Sequence, residues 1–390
     1  MQSQPRKSFF VNDWPFHYIE PKPTVSLNPK TKRNFIRILP FGMIWLVTGS
    51  VFLLSETLVT GNQNLNPEAS VTMSWPVFIF ASLTSILVGL LIGLIELVLL
   101  EKKFRNYSFT RKVIAKFLIY LSLMMVIMAM AFPMASSIEL SASPFDDIII
   151  EKTVNFFQSE VFTNTVVQIS FQVLLCLLYA AISENLGHNV LSNFFTGKYH
   201  TPKEEKRIFM FLDMKDSTSI AEQLGHKKYF NLLQDYYEVM SDAIINTLGE
   251  VYQYIGDEVV ITWQAEKGLL NGNCIRCFEQ IGQNLEKRSD KFQDKYGITP
   301  GFKAGIHIGE VTTGEVGALK KEIVYTGDVL NTTARVQGLC KEYKVDLLVT
   351  GELLSQLNQK DWSTTFIGDL ALRGRKQPMK IHSIKVRRSV

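Results

Sequence analysis

Four long, nearly charge-free apolar runs before residue 185, a strand-like alternation ending on Asp213, and a Gly256-Asp257 turn between two further apolar runs predict two unlike halves. The first is an α-helical four-span membrane domain and the second an α+β domain. At 390 residues the chain has room for two or three domains, and its apolar content supports a sizeable core. The expected division is 1–37, a cytoplasmic N-terminal arm; 38–182, the transmembrane domain; 183–205, a coupling helix and linker; and 206–390, the soluble domain.

The arm is polar, proline-bearing and basic (Arg6, Lys7, Lys22, Lys30, Lys32, Arg33), without the apolar core and small-residue cleavage site of a signal peptide. Apolar runs follow at Ile38–Leu54, Trp75–Leu100, Phe117–Ala135 and Val161–Ile182. Each is near or above the length of about 20 residues that spans a bilayer as helix. Charge sets the expected orientation. Lys102, Lys103, Arg105, Arg111 and Lys112 follow the second run, and Lys198, Lys203, Lys206 and Arg207 follow the fourth, whereas the Glu56–Ser74 loop has no Lys or Arg. The Ser136–Glu160 loop sets Lys152 against five acidic residues. The positive-inside rule then puts both termini and the soluble domain in the cytoplasm, as a multi-pass protein of the cell (inner) membrane.

Within the spans, Gln168 and Gln172 stand one helical turn apart and read as helix–helix hydrogen bonders, while Gly89 and Gly93 give the small-xxx-small spacing of close helix contact. Glu96 lies near the cytoplasmic end, where snorkelling is expected. Ser183–Phe195 is expected to continue the fourth helix out of the membrane until Gly197 and Pro202 end it. Leu186, Val190, Leu191 and Phe194 on that segment suit a coil against a second copy.

The net charge of +4 is spent largely at the flanks of the apolar runs, which argues against a nucleic-acid partner. Four cysteines are too few for a disulfide framework. Cys274 and Cys277 share a helical face with Ile281 and Leu285, a packing pattern rather than a zinc site.

In the soluble half, Ile208–Asp213 alternates as a strand, Tyr229–Leu248 has helical periodicity, paired strands flank Gly256-Asp257, and a helix is expected over about Gly268–Tyr296. The resulting β-α-β-β-α-β order is that of a ferredoxin-like palm. On such a sheet Asp213 and Asp257 end adjacent strands with converging carboxylates, the arrangement that divalent cations on a triphosphate require. Directly after Asp213, the helix start over Lys215, Asp216, Ser217 and Thr218 offers backbone N–H groups from Lys215 to Ile220 as a phosphate cradle. Taken singly, either Asp is as well explained as a turn residue, and Ser217 or Thr218 as an N-cap.

Phe211-Leu212-Asp213-Met214-Lys215-Asp216-Ser217-Thr218, Tyr254-Ile255-Gly256-Asp257-Glu258 and Asn331-Thr332-Thr333-Ala334-Arg335 together resemble the class III nucleotidyl (adenylate/guanylate) cyclases, over Lys206 to about Lys385. The resemblance implies a membrane-bound enzyme with a C-terminal cyclase domain. It implies Asp213, Met214 and Asp257 as metal positions for two Mg2+ or Mn2+ per site, and Asn331 and Arg335 as the pair that handles ribose and transition state. It further implies Lys303 and Arg373 at polyphosphate-holding positions, Gln253 and Val324 at base-reading positions, and a homodimer whose sites are shared between protomers.

Adenylyl cyclases usually carry Lys where Gln253 stands, guanylyl cyclases Glu, and the second base-reading position is usually Asp or Thr rather than Val324. An amide can donate or accept, so either base fits Gln253. The absence of a guanine-reading Glu favours ATP over GTP. Two further readings stay open: a diguanylate cyclase, which expects a second glycine where Ile255 stands and leaves Asn331 and Arg335 without a role, and a catalytically degenerate cyclase-like sensor.

Overall fold

The computed structural model describes residues 28–60, 64, 66–104, 107–358, 362–371 and 377–385. Of the membrane half it shows α1 (Pro29–Thr60), α2 (Trp75–Ile95), a π-helical turn (Glu96–Leu100), α3 (Glu101–Lys103), α4 (Phe109–Leu140), α5 (Asp147–Gln158), α6 (Glu160–Leu186) and α7 (His188–Phe195). Among the described residues, four helices are long and apolar enough to cross a membrane: Pro29–Val59, Trp75–Leu100, Phe109–Leu140 and Glu160–Leu186. They correspond one to one with the four apolar runs. Within the expected arm, residues 29–37 are helical. The loop between the third and fourth spans contains the amphipathic α5, held to α4 by Lys152 Nζ on Glu139 Oε2 at 2.6 Å.

The glycine spacing has a direct structural reason: a Cβ on Gly89 would stand 2.6 Å from the Phe41 carbonyl oxygen and 2.8 Å from Gly42 Cα, so α1 and α2 touch backbone to backbone there. Gln172 is buried and lies opposite Gly49 of α1, while Gln168 is only partly covered. The snorkelling expected of Glu96 does not occur. Glu96 is 4% exposed and bonded to Lys116 Nζ and to the Tyr120 hydroxyl, the latter at 2.7 Å, because one turn of α4 brings both donors to the same carboxylate. At the same end Arg37 pairs with Glu101 at 3.3 Å and Lys112 with Glu184. Nor does the fourth helix run unbroken to Phe195. Gly187, at φ +84°, separates α6 from α7, and Leu191, expected in a coil between copies, is buried within the chain.

The soluble half comprises β1 (Lys203–Met214), α8 (Ser217–Asn246), β2 (Glu250–Ile255), β3 (Glu258–Gln264), α9 (Ala265–Leu269), α10 (Asn273–Glu286), α11 (Ser289–Tyr296), β4 (Phe302–Val316), β5 (Glu322–Thr326), α12 (Asp328–Glu342), β6 (Leu347–Thr350), α13 (Gly351–Leu354), β7 (Ser363–Leu370) and β8 (Met379–Lys385). The sheet order is β2-β3-β1-β4-β6-β8-β7, with β5 added to β4. Its first four strands, with α8 and α10 in the crossovers, have the ferredoxin-like order read from the sequence. The single helix expected over Gly268–Tyr296 is broken into α9, α10 and α11. One break falls at Gly272, at φ +65°, where a Cβ would meet the Trp362 ring.

Strand alternation divides the core in two. Ile208, Met210 and Leu212 face Leu232, Tyr236, Ile275 and Phe278 of α8 and α10, with Cys274 and Cys277 fully buried among them. Burial pushes both thiols up to about 12, so neither is a ready thiolate. Phe209 and Phe211 face the other way, toward Val260, Val311 and Val329. Asp213 continues this second face.

Candidate active site

Asp213 closes β1 opposite Lys303 of β4, and Asp257 stands in the two-residue turn that joins β2 to β3. Gly256 adopts φ +64° in that turn, and Tyr237 of α8 holds it by donating its hydroxyl to the Gly256 carbonyl at 2.8 Å. The fold therefore brings two carboxylates 44 residues apart in sequence (257 − 213) to one corner of the sheet. Their electrostatics register the encounter. Burial pushes the Asp257 carboxyl up from its usual range, a Ser217 hydrogen bond opposes this, and the Asp213 carboxylate adds to it. Neighbouring Glu258 is pushed up to about 7, first by burial and then by both aspartates, with Lys303 acting in the opposite direction.

Lys303 answers this negative corner, with its Nζ 3.2 Å from Asp213 Oδ2. The same oxygen accepts a hydrogen bond from Gln337 Nε2 of α12, also at 3.2 Å. Oxygen donors with surplus negative charge at the surface end of two strands suit Mg2+ or Mn2+. Met214 buries its side chain in the α8–α10 core, so only its main chain remains at the corner. Among the described residues no group of three or more His, Cys, Asp or Glu forms a ready-made metal cluster, so the donor set is the aspartate pair.

The expected phosphate cradle is narrower than Lys215–Ile220. The Lys215 N–H donates to the Gly301 carbonyl and the Ile220 N–H to the Asp216 carbonyl, while Lys215 Nζ pairs with Asp346. Asp216 enters the helix at φ +54° and makes no side-chain cap, which leaves the N–H groups around Ser217 and Thr218 at the mouth of the corner. Arg373 lies outside the described residues.

Asn331 and Arg335 lie one turn apart on α12, and their strip points away from the sheet. The opposite strip, Thr333, Val336 and Cys340, is buried against it. Asn331 is exposed, and Arg335 Nη1 is buried with no hydrogen-bond partner among the described residues. A guanidinium nitrogen in that condition is poised for an anion. Asn331 and Arg335 are thus not gathered into the Asp213–Asp257 corner of their own chain.

Gln253 is exposed beside a bulge in β2, and Val324 lies in β5. Their neighbours Tyr252 and Tyr325 pack edge to face at 4.9 Å, and the buried Arg207 guanidinium lies 4.6 Å from the Tyr325 ring centre. Sequence reasoning missed Gln337, Glu258, Tyr237 and this aromatic clasp. A polar residue on the buried strip of α12 was the available signal for Gln337.

A ferredoxin-like palm with paired aspartates at one corner and an outward Asn-x-x-x-Arg helix is the arrangement that the sequence resemblance to the class III nucleotidyl cyclases implies. Residues 200–386 match the family model of the Adenylate and Guanylate cyclase catalytic domain. Adenylate cyclase 2 of Rhizobium meliloti (strain 1021) is 33% identical over 204 residues, 52% of this chain and 56% of that protein. Adenylate cyclase of Anabaena cylindrica is 26% identical over 191 residues, 46% of this chain and 37% of that protein. The chain therefore spans only about half or less of these relatives' lengths. A solved bacterial light-regulated adenylyl cyclase is 19% identical with a TM-score of 0.49, covering 55% of this chain and 63% of that one.

Proposed function

We propose that the protein is a membrane-bound adenylate cyclase that converts ATP to 3′,5′-cyclic AMP and pyrophosphate, at two equivalent sites shared across a homodimer. The observation that carries this reading is the division of charge within one chain. Asp213 and Asp257 converge on one corner while Asn331 and Arg335 face outward from α12, with Arg335 Nη1 unpartnered. A second copy about a two-fold axis brings one chain's pair to the other's corner. The curated relatives named adenylate cyclase support ATP as the substrate.

Asp213 and Asp257, with the Met214 main chain beside them, are the residues to hold Mg2+ or Mn2+, and the surplus negative charge of the corner supports that fit. When bound, such cations lower the pKa of the attacking ribose hydroxyl and neutralise the triphosphate. The chain's own groups do the rest. The N–H groups around Ser217 and Thr218, with Lys303 and Arg373, hold the β- and γ-phosphates. Asn331 orients the ribose, and Arg335 stabilises charge that builds on the α-phosphate oxygens as the 3′-oxygen attacks. No protein nucleophile is needed.

Gln253 and Val324 contact the base, the amide by hydrogen bond and the valine by packing. With both termini and the catalytic domain cytoplasmic, the membrane helices regulate turnover by repositioning the two protomers through α7. The test is the full-length protein in detergent with Mn2+, assayed separately with ATP and GTP. Cyclic AMP as the main product supports the reading, cyclic GMP as the only cyclic product reassigns the base, and no cyclic product from either overturns it.

A further inference from the structure

We infer that Gln337 is a positioning residue for the Asp213 carboxylate, and that Gly305 is what lets it reach. The inference rests on the reading of Asp213 as a metal ligand and deepens it. Gln337 is 7% exposed and shares the buried side of α12 with Val336 and Cys340. Its Nε2 donates to Asp213 Oδ2 at 3.2 Å. A buried amide is retained where it is hydrogen-bonded, and here its partner is a carboxylate of the site rather than a backbone group. Lys303 Nζ approaches the same oxygen at 3.2 Å. Both nitrogen donors therefore converge on Oδ2, which fixes the carboxylate plane and leaves Oδ1 as the oxygen for a cation.

The reach depends on one position of β4. A Cβ on Gly305 would stand 2.4 Å from the Gln337 backbone nitrogen and 2.7 Å from its Cα, and backbone atoms cannot step aside as a side-chain tip can. Gly305 pairs with Phe211, two residues along from the Asp213 and Lys303 pair. The missing side chain thus seats α12 directly on the strands beside the carboxylate. Because α12 carries Asn331 and Arg335 on its opposite strip, Gln337 also joins the aspartate of one half-site to the helix that serves the other. A residue that merely fills space would need only its volume. A positioning residue needs its donor.

The experiment is Mn2+ binding to the full-length protein in detergent, read by electron paramagnetic resonance in the presence of ATP lacking its 3′-hydroxyl. Gln337→Met keeps the length and removes the donor, and Mn2+ affinity should fall about tenfold with an unchanged melting temperature of the metal-free protein. Gln337→His, whose ring N–H donates at a similar reach, should stay within about threefold of wild type. Gly305→Ala leaves the amide intact but lifts the helix, and should weaken Mn2+ binding in the same direction, by about tenfold or more. Wild-type affinity in either Gln337→Met or Gly305→Ala would overturn the inference, as would equal loss in the Met and His variants. Mn2+ bound by the wild type and lost in Asp213→Asn keeps the metal reading intact whatever Gln337 does. A wild type that binds no Mn2+ removes that reading and the role of Gln337 with it.

Discussion

In the membrane half, the buried Glu96 carboxylate meets Lys116 on one oxygen and the Tyr120 hydroxyl on the other, so that acid, base and hydroxyl close on one another. In the soluble half, Asp213 and Asp257 meet each other with Lys303 as the ion-pair partner among the described residues, where Arg335 Nη1 is left without a hydrogen-bond partner. A closed cluster is a clasp: it ties α2 to α4, and its parts are matched because unmatched charge in that setting is costly. An open cluster holds surplus charge of one sign in one place and surplus donors in another, which is what a charged substrate and its cations would complete. The contrast teaches that burial alone does not distinguish structural charge from functional charge. The balance of the bonds does.

The sharpest way to break the contrast is to remove one charge from each cluster. If Asp257 holds a cation, Asp257→Asn should lower turnover by about a hundredfold or more while leaving the melting temperature unchanged or slightly raised, because it removes that ligand and relieves repulsion with Asp213. Cyclase rates with calorimetry on the same preparation decide this, and near-normal turnover would remove Asp257 from the metal site. Glu96→Gln should do the reverse. It strands Lys116 and costs about 3 kcal/mol of stability, and Glu96→Gln with Lys116→Met should recover most of the loss. Thermal unfolding in detergent measures it, and an Asp257-like profile for Glu96 would erase the distinction.

A smaller effect sharpens the open side. Gln253→Lys should raise the ATP-to-GTP preference about tenfold, equivalent to about 1.4 kcal/mol, since a fixed cation can no longer serve as both donor and acceptor toward the base. An unmoved ratio of kcat/KM values would take Gln253 out of base reading.

The smallest effect belongs to a closed cluster at the surface of the soluble half. Burial alone would raise the pKa of Asp235, but hydrogen bonds from Lys295 and Tyr296 outweigh it and hold the carboxyl below its usual range. A depressed folded pKa contributes stability that is present above the unfolded value, near 4, and lost as pH falls through the folded one. Asp235→Asn should therefore lower stability by about 1 kcal/mol or less at neutral pH, with the difference from wild type vanishing in acid. A pH series of melting temperatures checks the sign, and a difference that grows in acid would contradict it.

The open cluster was far more legible in the sequence than the closed one. Asp213 ends a short continuous apolar run and Asp257 sits in a Gly-Asp turn, so the apolar run and turn chemistry place both without tertiary knowledge. Asn331 and Arg335 are i and i+4 on one helix, again a local relation. Glu96 and Lys116 belong to different helices, and nothing local says that they face each other, which is why an isolated glutamate near a span's end reads as snorkelling. Gln337 was invisible for the same reason, since its reach to Asp213 depends on the close approach at Gly305. The break at Gly187 was missed because a glycine within an otherwise helical pattern carries no sign of its φ.

If each catalytic site takes its aspartates from one chain and its Asn331–Arg335 pair from another, mixed dimers will reveal it. Asp257→Ala and Arg335→Ala should each be inactive alone, because both sites then lack one group. Co-expressed and randomly paired, half the dimers are mixed and each mixed dimer holds one intact site, so activity should return to roughly a quarter of wild type. Verified co-assembly of the two variants with no recovered activity would contradict the shared site.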